Sequence, residues 1–216
     1  MKAFLAALKE SEPMKKIFVS AILAGCAIGF GGTAFLSVEN KVLGALFFTV
    51  GLFVVCTMGL HLYTGKVCYV FDNGADYAKS IPVIWLGNLV GTGLVAAAVR
   101  MSRISAICER AAALCEVKLN DDLVSIFILS VLCNIFIYIG VDGYRNNPHE
   151  AGKYLALFFG VMVFILCGYE HCVANMFYFS AAMCWSGKAV LYLLVMTLGN
   201  AVGGVSFPLL RRYIAK

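Results

Sequence analysis

Charge is what this chain has least of. Asp, Glu, Lys and Arg make up 13% of its 216 residues while 62% are hydrophobic, whereas a soluble domain is about a quarter charged and nearer half apolar. That deficit argues against a water-soluble fold. Also missing are a phosphate-cradling glycine loop and a nucleophile paired with a base, so nothing points to an enzyme. No CxxC pair occurs among the nine cysteines. Cys26, Cys56, Cys133, Cys167, Cys172 and Cys184 lie inside apolar stretches and only Cys108 and Cys115 share a loop, which reads as small apolar packing instead of a disulfide framework. The formal net charge of +5 is mostly an orientation signal, with no evidence in it for nucleic acid.

What the chain does have is six long apolar stretches, at 17–38, 42–71, 81–99, 123–141, 154–185 and 189–210. A spanning helix needs roughly 20 apolar residues, so all six can cross a bilayer and little chain is left for a soluble domain. The expectation is an all-α integral membrane protein with six transmembrane helices. A cytoplasmic N-terminal segment covers 1–16, a first repeat 17–100, an extracytoplasmic connector 101–122, a second repeat 123–210 and a cytoplasmic tail 211–216. Lys2, Lys9, Lys15 and Lys16 precede the first stretch, but a signal-peptide core is shorter and ends in a small-x-small site, so this is a retained helix. With an even number of spans both termini share a side. The segments on that side hold ten Lys/Arg and the opposite loops six, which puts both termini in the cytoplasm and the protein in the inner (plasma) membrane.

Two of the stretches are too long. At about 1.5 Å per residue, 42–71 and 154–185 as straight helices would reach about 45 Å or more, well past a hydrocarbon core of about 30 Å. Each is interrupted in its middle, by GLHLYTGK at 59–66 and GYEHCVAN at 168–175. Unwound backbone at membrane depth is tolerated only where protein buries it or where it lines a cavity. A shift of about 110 residues lays one interruption over the other, and WLGNLVG at 85–91 over TLGNAVGG at 197–204. Three spans per repeat is odd, so the halves insert with opposite topology. Two inverted three-helix repeats with helices 2 and 5 broken put the substrate path near the midplane. Glycines four residues apart (Gly25 and Gly29, Gly87 and Gly91, Gly199 and Gly203) suit close helix contacts within or between subunits. Asn88, Asn134 and Asn200, each inside a span, read as interhelical ties or loop anchors.

At this point the residues resemble a known family. GYEHCVANMF is similar to the histidine segment of the formate/nitrite transporter family, and GLHLYTGK resembles that family's second-helix loop. AILAGCAIGFGG, WLGNLVG, LCNIFIYIG and TLGNAVGG follow in matching order. The resemblance implies a homopentamer of aquaporin-like subunits, each with its own pore for small monovalent anions, and no cofactor or metal. It places Thr64 and His171 face to face at the pore centre, Phe48 and Leu52 at a cytoplasmic constriction, Leu62 and Phe164 at an outer one, and Lys118 in the outer vestibule. His61, Lys66, Glu170, Asn175 and Asn134 become loop and pore-supporting residues. Two positions depart from the family pattern: His61 stands where an acidic residue is usual and Lys66 where asparagine is usual. Both make the loop more basic, and Lys66 is expected to meet carbonyls, to reach Glu170, or to bias the pore toward anions. One branch of the family carries hydrosulfide, so formate, nitrite and hydrosulfide all remain open.

The chemistry has its own logic. An anion entering an apolar slot loses its hydration at a cost that blocks it unless its charge is matched or removed. Basic residues at a mouth, Lys118 with Arg110 nearby, raise the local anion concentration. A central histidine can hydrogen-bond the anion and supply a proton: burial disfavours a charged imidazole and an approaching anion favours it. A threonine hydroxyl both donates and accepts. Glu170 is expected to cap backbone N–H groups of the facing repeat. The alternative reading is a single-haem membrane electron carrier with His61 and His171 as axial ligands. A metal transporter suits the sequence poorly, because Glu170, His171 and Cys172 are contiguous instead of being set at chelating spacing.

Overall fold

The computed structural model describes residues 13–215; Lys2, Lys9 and most of the expected N-terminal segment 1–16 lie outside the described residues. Among these the chain is all helical: α1 (Met14–Ser37), α2 (Lys41–Thr57), α3 (Tyr63–Val67), a 3-10 turn (Val70–Asp72), α4 (Ala75–Arg100), α5 (Ile107–Leu119), α6 (Leu123–Asn146), α7 (Glu150–Leu166), α8 (Cys172–Ala182) and α9 (Gly187–Ile214). Helices α1, α4, α6 and α9 are long and apolar enough to cross a membrane.

Local chemistry sets the starts and stops. Asn40 and Asp122 each accept two main-chain N–H bonds at the head of α2 and α6, and Ser186 accepts one at the head of α9, which satisfies donors that a helix start leaves orphaned. Helix α2 stops where Gly59 turns left-handed at φ +67°, and α7 where Gly168 does so at φ +71°. The next residue in each case bonds back across the turn, Leu60 N–H to the Val55 carbonyl and Tyr169 N–H to that of Phe164, both at 2.9 Å. This closure favours glycine, which alone reaches positive φ without steric cost.

Packing follows one pattern twice. Helix α1 packs on α2 and α4, and α6 on α7 and α9; short α8 sits on α4, short α3 on α9, and α2 meets α7. In a bilayer apolar burial does not drive helices together, so close backbone approach has to. Gly91 lies against the Ile22 carbonyl and Gly203 against that of Val131, so close that a Cβ at either would overlap it. The glycine pairs of the sequence therefore serve contacts inside the subunit. Large apolar side chains such as Val19, Leu23, Phe30, Leu94 and Leu198 remain on the outside, where lipid can cover them.

One element departs from expectation. The connector 101–122 contains α5, whose Ile107, Ala111 and Cys115 are buried at four-residue spacing and whose neighbour is α8. Charged residues along it (Glu109, Arg110, Glu116, Lys118) disguise an amphipathic helix as a polar loop.

Candidate functional site

The site is built where α3 and the start of α8 meet. His171 precedes α8 as its N-cap, with Nδ1 accepting from the Ala174 N–H at 3.0 Å. A neutral imidazole that accepts at Nδ1 carries its proton on Nε2. Nε2 lies 2.9 Å from Thr64 Oγ, so the ring donates to the threonine, and the hydroxyl's own proton is left to point elsewhere. Both residues are buried. The structure thus brings together Thr64 and His171, 107 residues apart in sequence.

Asparagines hold both interruptions by the same bonds. Asn88 accepts from the Tyr63 N–H at 2.8 Å and donates to the carbonyls of Ala21 and His61. Asn200 accepts from the Cys172 N–H at 2.8 Å and donates to those of Ser130 and Glu170. Asn134 ties the two regions together, donating to the Thr64 carbonyl at 3.1 Å and the Asn200 carbonyl at 2.7 Å. Each of the three is fully buried, and together they absorb backbone groups that unwound chain would leave unsatisfied.

On one side of His171 lies a cavity of about 130 Å³ lined by Phe164, Asn175, Lys118, Lys41 and Tyr169. Its polar wall corrects the expectation for Glu170. That carboxylate caps no backbone; both its oxygens accept from Lys118 Nζ at 2.7 Å, and Oε2 also accepts from Asn175 Nδ2 at 2.8 Å. Glu170 is buried and Lys118 largely so, with side-chain exposures of 5% and 15%. Burying a carboxylate is costly, and here the Lys118 ammonium and the Asn175 amide supply the opposite charge and the hydrogen bonds that offset it. Asn175 Oδ1, also buried, has no hydrogen-bond partner among the described residues. Lys41 donates to the Leu166 carbonyl at 3.0 Å at the rim. Arg110, expected to help at this mouth, bonds the Leu36 carbonyl and Glu39.

The four residues expected at constrictions regroup. Phe48 meets Phe164 edge to face at 6.0 Å, and Phe164 stacks on the His171 ring at 5.6 Å. Leu52 and Leu62 instead line a second, smaller cavity of about 20 Å³ with Val55, Lys66 and Arg145. Phe48 with Phe164 and Leu52 with Leu62 are the pairs found, in place of Phe48 with Leu52 and Leu62 with Phe164. The reason is helical: Phe48 and Leu52 are one turn apart on α2, about 6 Å along its axis, so they face different depths. Helix α2 itself runs from Lys41 at the first cavity to Cys56 at the second, about 22 Å. The Thr64–His171 pair lies between.

His61 and Lys66 belong to this second end. His61 Nδ1 is 2.7 Å from Ser20 Oγ, which also accepts from the His61 N–H. Lys66 is half-buried beside Leu62 and Arg145 at this second cavity, while Glu170 accepts from Lys118 and Asn175, which line the first. A haem between His61 and His171 would need a ring nitrogen from each, and both nitrogens of His171 are engaged. Sequence reasoning missed Lys41 and Arg145, whose charges it counted as loop signals of orientation.

A family model for formate/nitrite transporters matches residues 3–214. The chain belongs to that family. A probable formate transporter of Methanothermobacter thermautotrophicus is 30% identical over 94% of this chain and 89% of its own length. The nitrite transporter NirC of Escherichia coli K12 is 28% identical over 95% and 85%. A solved chain described as a pentameric formate channel with formate bound superposes with a TM-score of 0.78 at 24% identity, covering 94% of this chain and 97% of that one, which shows the shared fold. With its apolar helices, this member of the formate/nitrite transporter family is a multi-pass membrane protein and not an enzyme.

Proposed function

We infer that the chain is a channel for small monovalent weak-acid anions (formate, nitrite or hydrosulfide) and that the Thr64–His171 pair is the centre of its pore. The observation that carries this is the buried 2.9 Å bond between His171 Nε2 and Thr64 Oγ, set between the Phe48–Phe164 pair and the Leu52–Leu62 pair. The two matched interruptions, each held by an asparagine, support a reading as two inverted three-helix repeats with the second and fifth of six spans broken, aquaporin-like. The lysine asymmetry of the sequence supports both termini on the cytoplasmic side of the inner membrane, which makes the Arg145 end cytoplasmic and the Lys118 end external. A homopentamer follows the relative named as a pentameric channel.

In this reading an anion gathers at a basic mouth, and the apolar pairs admit it only as its charge is neutralised. Thr64 offers the donor. With His171 donating to its oxygen, the threonine O–H turns to the substrate, and the chain of bonds polarises both. His171 does not give up the proton that makes the acid neutral, because loss of Nε2–H would leave an imidazolate in an apolar site; the proton enters with the substrate. Asn175 Oδ1, an unpaired acceptor at the first cavity, suits the O–H of a protonated acid. Lys118, bound to Glu170, supports the wall as part of an internal pair.

Proteoliposome flux tests this. Formate, nitrite, acetate or hydrosulfide should cross, while sulfate and glucose should not. Folded, inserted protein that moves no monovalent anion at any pH would refute the reading.

A further inference from the structure

At the Lys118 end, α5 and the end of α8 bring together two cysteines that lie far apart in sequence. Cys115 is buried on the apolar face of α5, the third of the Ile107, Ala111, Cys115 series, and α8 is the neighbour of that helix. Cys184 follows the last turn of α8 and is half-buried. A strained residue sets its place. Met183 is the one non-glycine among the described residues with left-handed backbone, φ +54°, a conformation that ordinary side chains resist. It reverses the chain so that the Cys184 N–H donates to the Phe179 carbonyl at 3.1 Å and the Met183 N–H to that of Ser180 at 3.3 Å, a double closure of the helix end. The reversal delivers Cys184 to α5, where its thiol and that of Cys115 are in hydrogen-bond contact. Both are free thiols. Cys108, the other cysteine of the connector, lies two turns before Cys115, about 10 Å along α5, beyond the span of a disulfide.

We propose that Cys115 and Cys184 are a redox pair that closes to a disulfide in oxidising surroundings and staples α5 to the end of α8. The inference goes beyond the pore reading and is independent of what the pore carries. In the orientation given above this end is external, where thiols meet oxidants. The oxidant is a disulfide of low molecular weight. Cys184, the more exposed thiol, reacts first: it gives its proton to solvent, its sulfur attacks one sulfur of the oxidant, and the other leaves as a thiolate. Burial holds the Cys115 thiol well above its usual range, so it stays protonated until that mixed disulfide stands beside it. The Cys115 sulfur then loses its proton and attacks the Cys184 sulfur, and the second thiol leaves. Two electrons have passed from the pair to the oxidant, which is released as two thiols. The bridge closes a long loop through α6, α7 and α8, which favours the folded chain, and it fixes the helix that carries Lys118 to Glu170. The rival is plain packing of two small side chains, which would leave both thiols reduced.

The test treats the full chain in detergent with excess oxidised glutathione, then with a reductant, and follows intact mass, peptide map and melting temperature. Oxidation should remove two hydrogens, map to a Cys115–Cys184 bridge within one subunit, raise the melting temperature by roughly 5–10 °C, and reverse on reduction. Cys115→Ser and Cys184→Ser should each abolish the rise, and Cys108→Ser should keep it. In Cys115→Ser the reaction should stop with one glutathione on Cys184, a signature that packing alone would not give. If a serine variant fails to fold, the wild-type map decides alone. All nine thiols left free, a bridge mapped elsewhere or between subunits, or a bridge that leaves the melting temperature unchanged would overturn the proposal.

Discussion

The interruption at 58–62 and the one at 167–171 are nearly the same piece of backbone carrying different chemistry. Each opens with a left-handed glycine, closes with a 2.9 Å bond to the residue five back, and is clasped by one asparagine through one accepted and two donated bonds. Along this frame His61 stands opposite Glu170, Leu62 opposite His171, and Lys66 opposite Asn175. Scaffold and site are thus carried by separate residues. Glycine and asparagine shape the backbone, and a few side chains decide which interruption carries a buried histidine beside an ion pair and which carries a leucine against an apolar wall.

The largest effect should come from the side chains that only one interruption has. Glu170→Ala leaves Lys118 buried without its partner, which should cost about 3–5 kcal/mol and show as a large fall in melting temperature in detergent. The double variant Lys118→Met/Glu170→Gln should recover part of it. Next come the shared clasps. Asn200→Ala strips partners from the Cys172 N–H and two carbonyls, and should destabilise by about 2–3 kcal/mol. Asn88→Ala should match it closely by the same assay, and a marked inequality would break the equivalence of the two frames. Smaller still, Gly168→Ala and Gly59→Ala each force a Cβ into left-handed backbone, at about 1 kcal/mol apiece; differential scanning should find the two alike.

The sequence showed a great deal of the frame. Apolar runs announced the long helices, and glycines with polar residues inside two of them marked where helix stops. His171 and Thr64 were readable as a pair because their motifs are distinctive. Helix α5 was hidden by its charges, since Ile107, Ala111 and Cys115 make a narrow apolar face. The partner of Glu170 was illegible because Lys118 lies 52 residues away, on a helix that had not been foreseen. The pairing of the constriction residues escaped for a geometric reason. Hydrophobic periodicity tells which face of α2 is buried, and it does not say that Phe48 and Leu52, both on that face, meet different partners at different depths. Arg145 and Lys41 were invisible as cavity-lining residues because a charge at a helix end reads first as topology.

In the proposed pore, the Thr64–His171 bond is what passes a weak acid through an otherwise apolar slot. The most direct test is formate flux against pH for wild type, Thr64→Val and His171→Ala in the same liposomes. Wild-type flux should rise as pH falls, because the protonated fraction of a weak acid grows about tenfold per pH unit above its pKa. Thr64→Val should lose about tenfold or more in rate, and His171→Ala, which takes away the donor to the threonine oxygen, should lower the flux at every pH while the rise toward low pH keeps its slope. Folded variants with wild-type rates at every pH would contradict it.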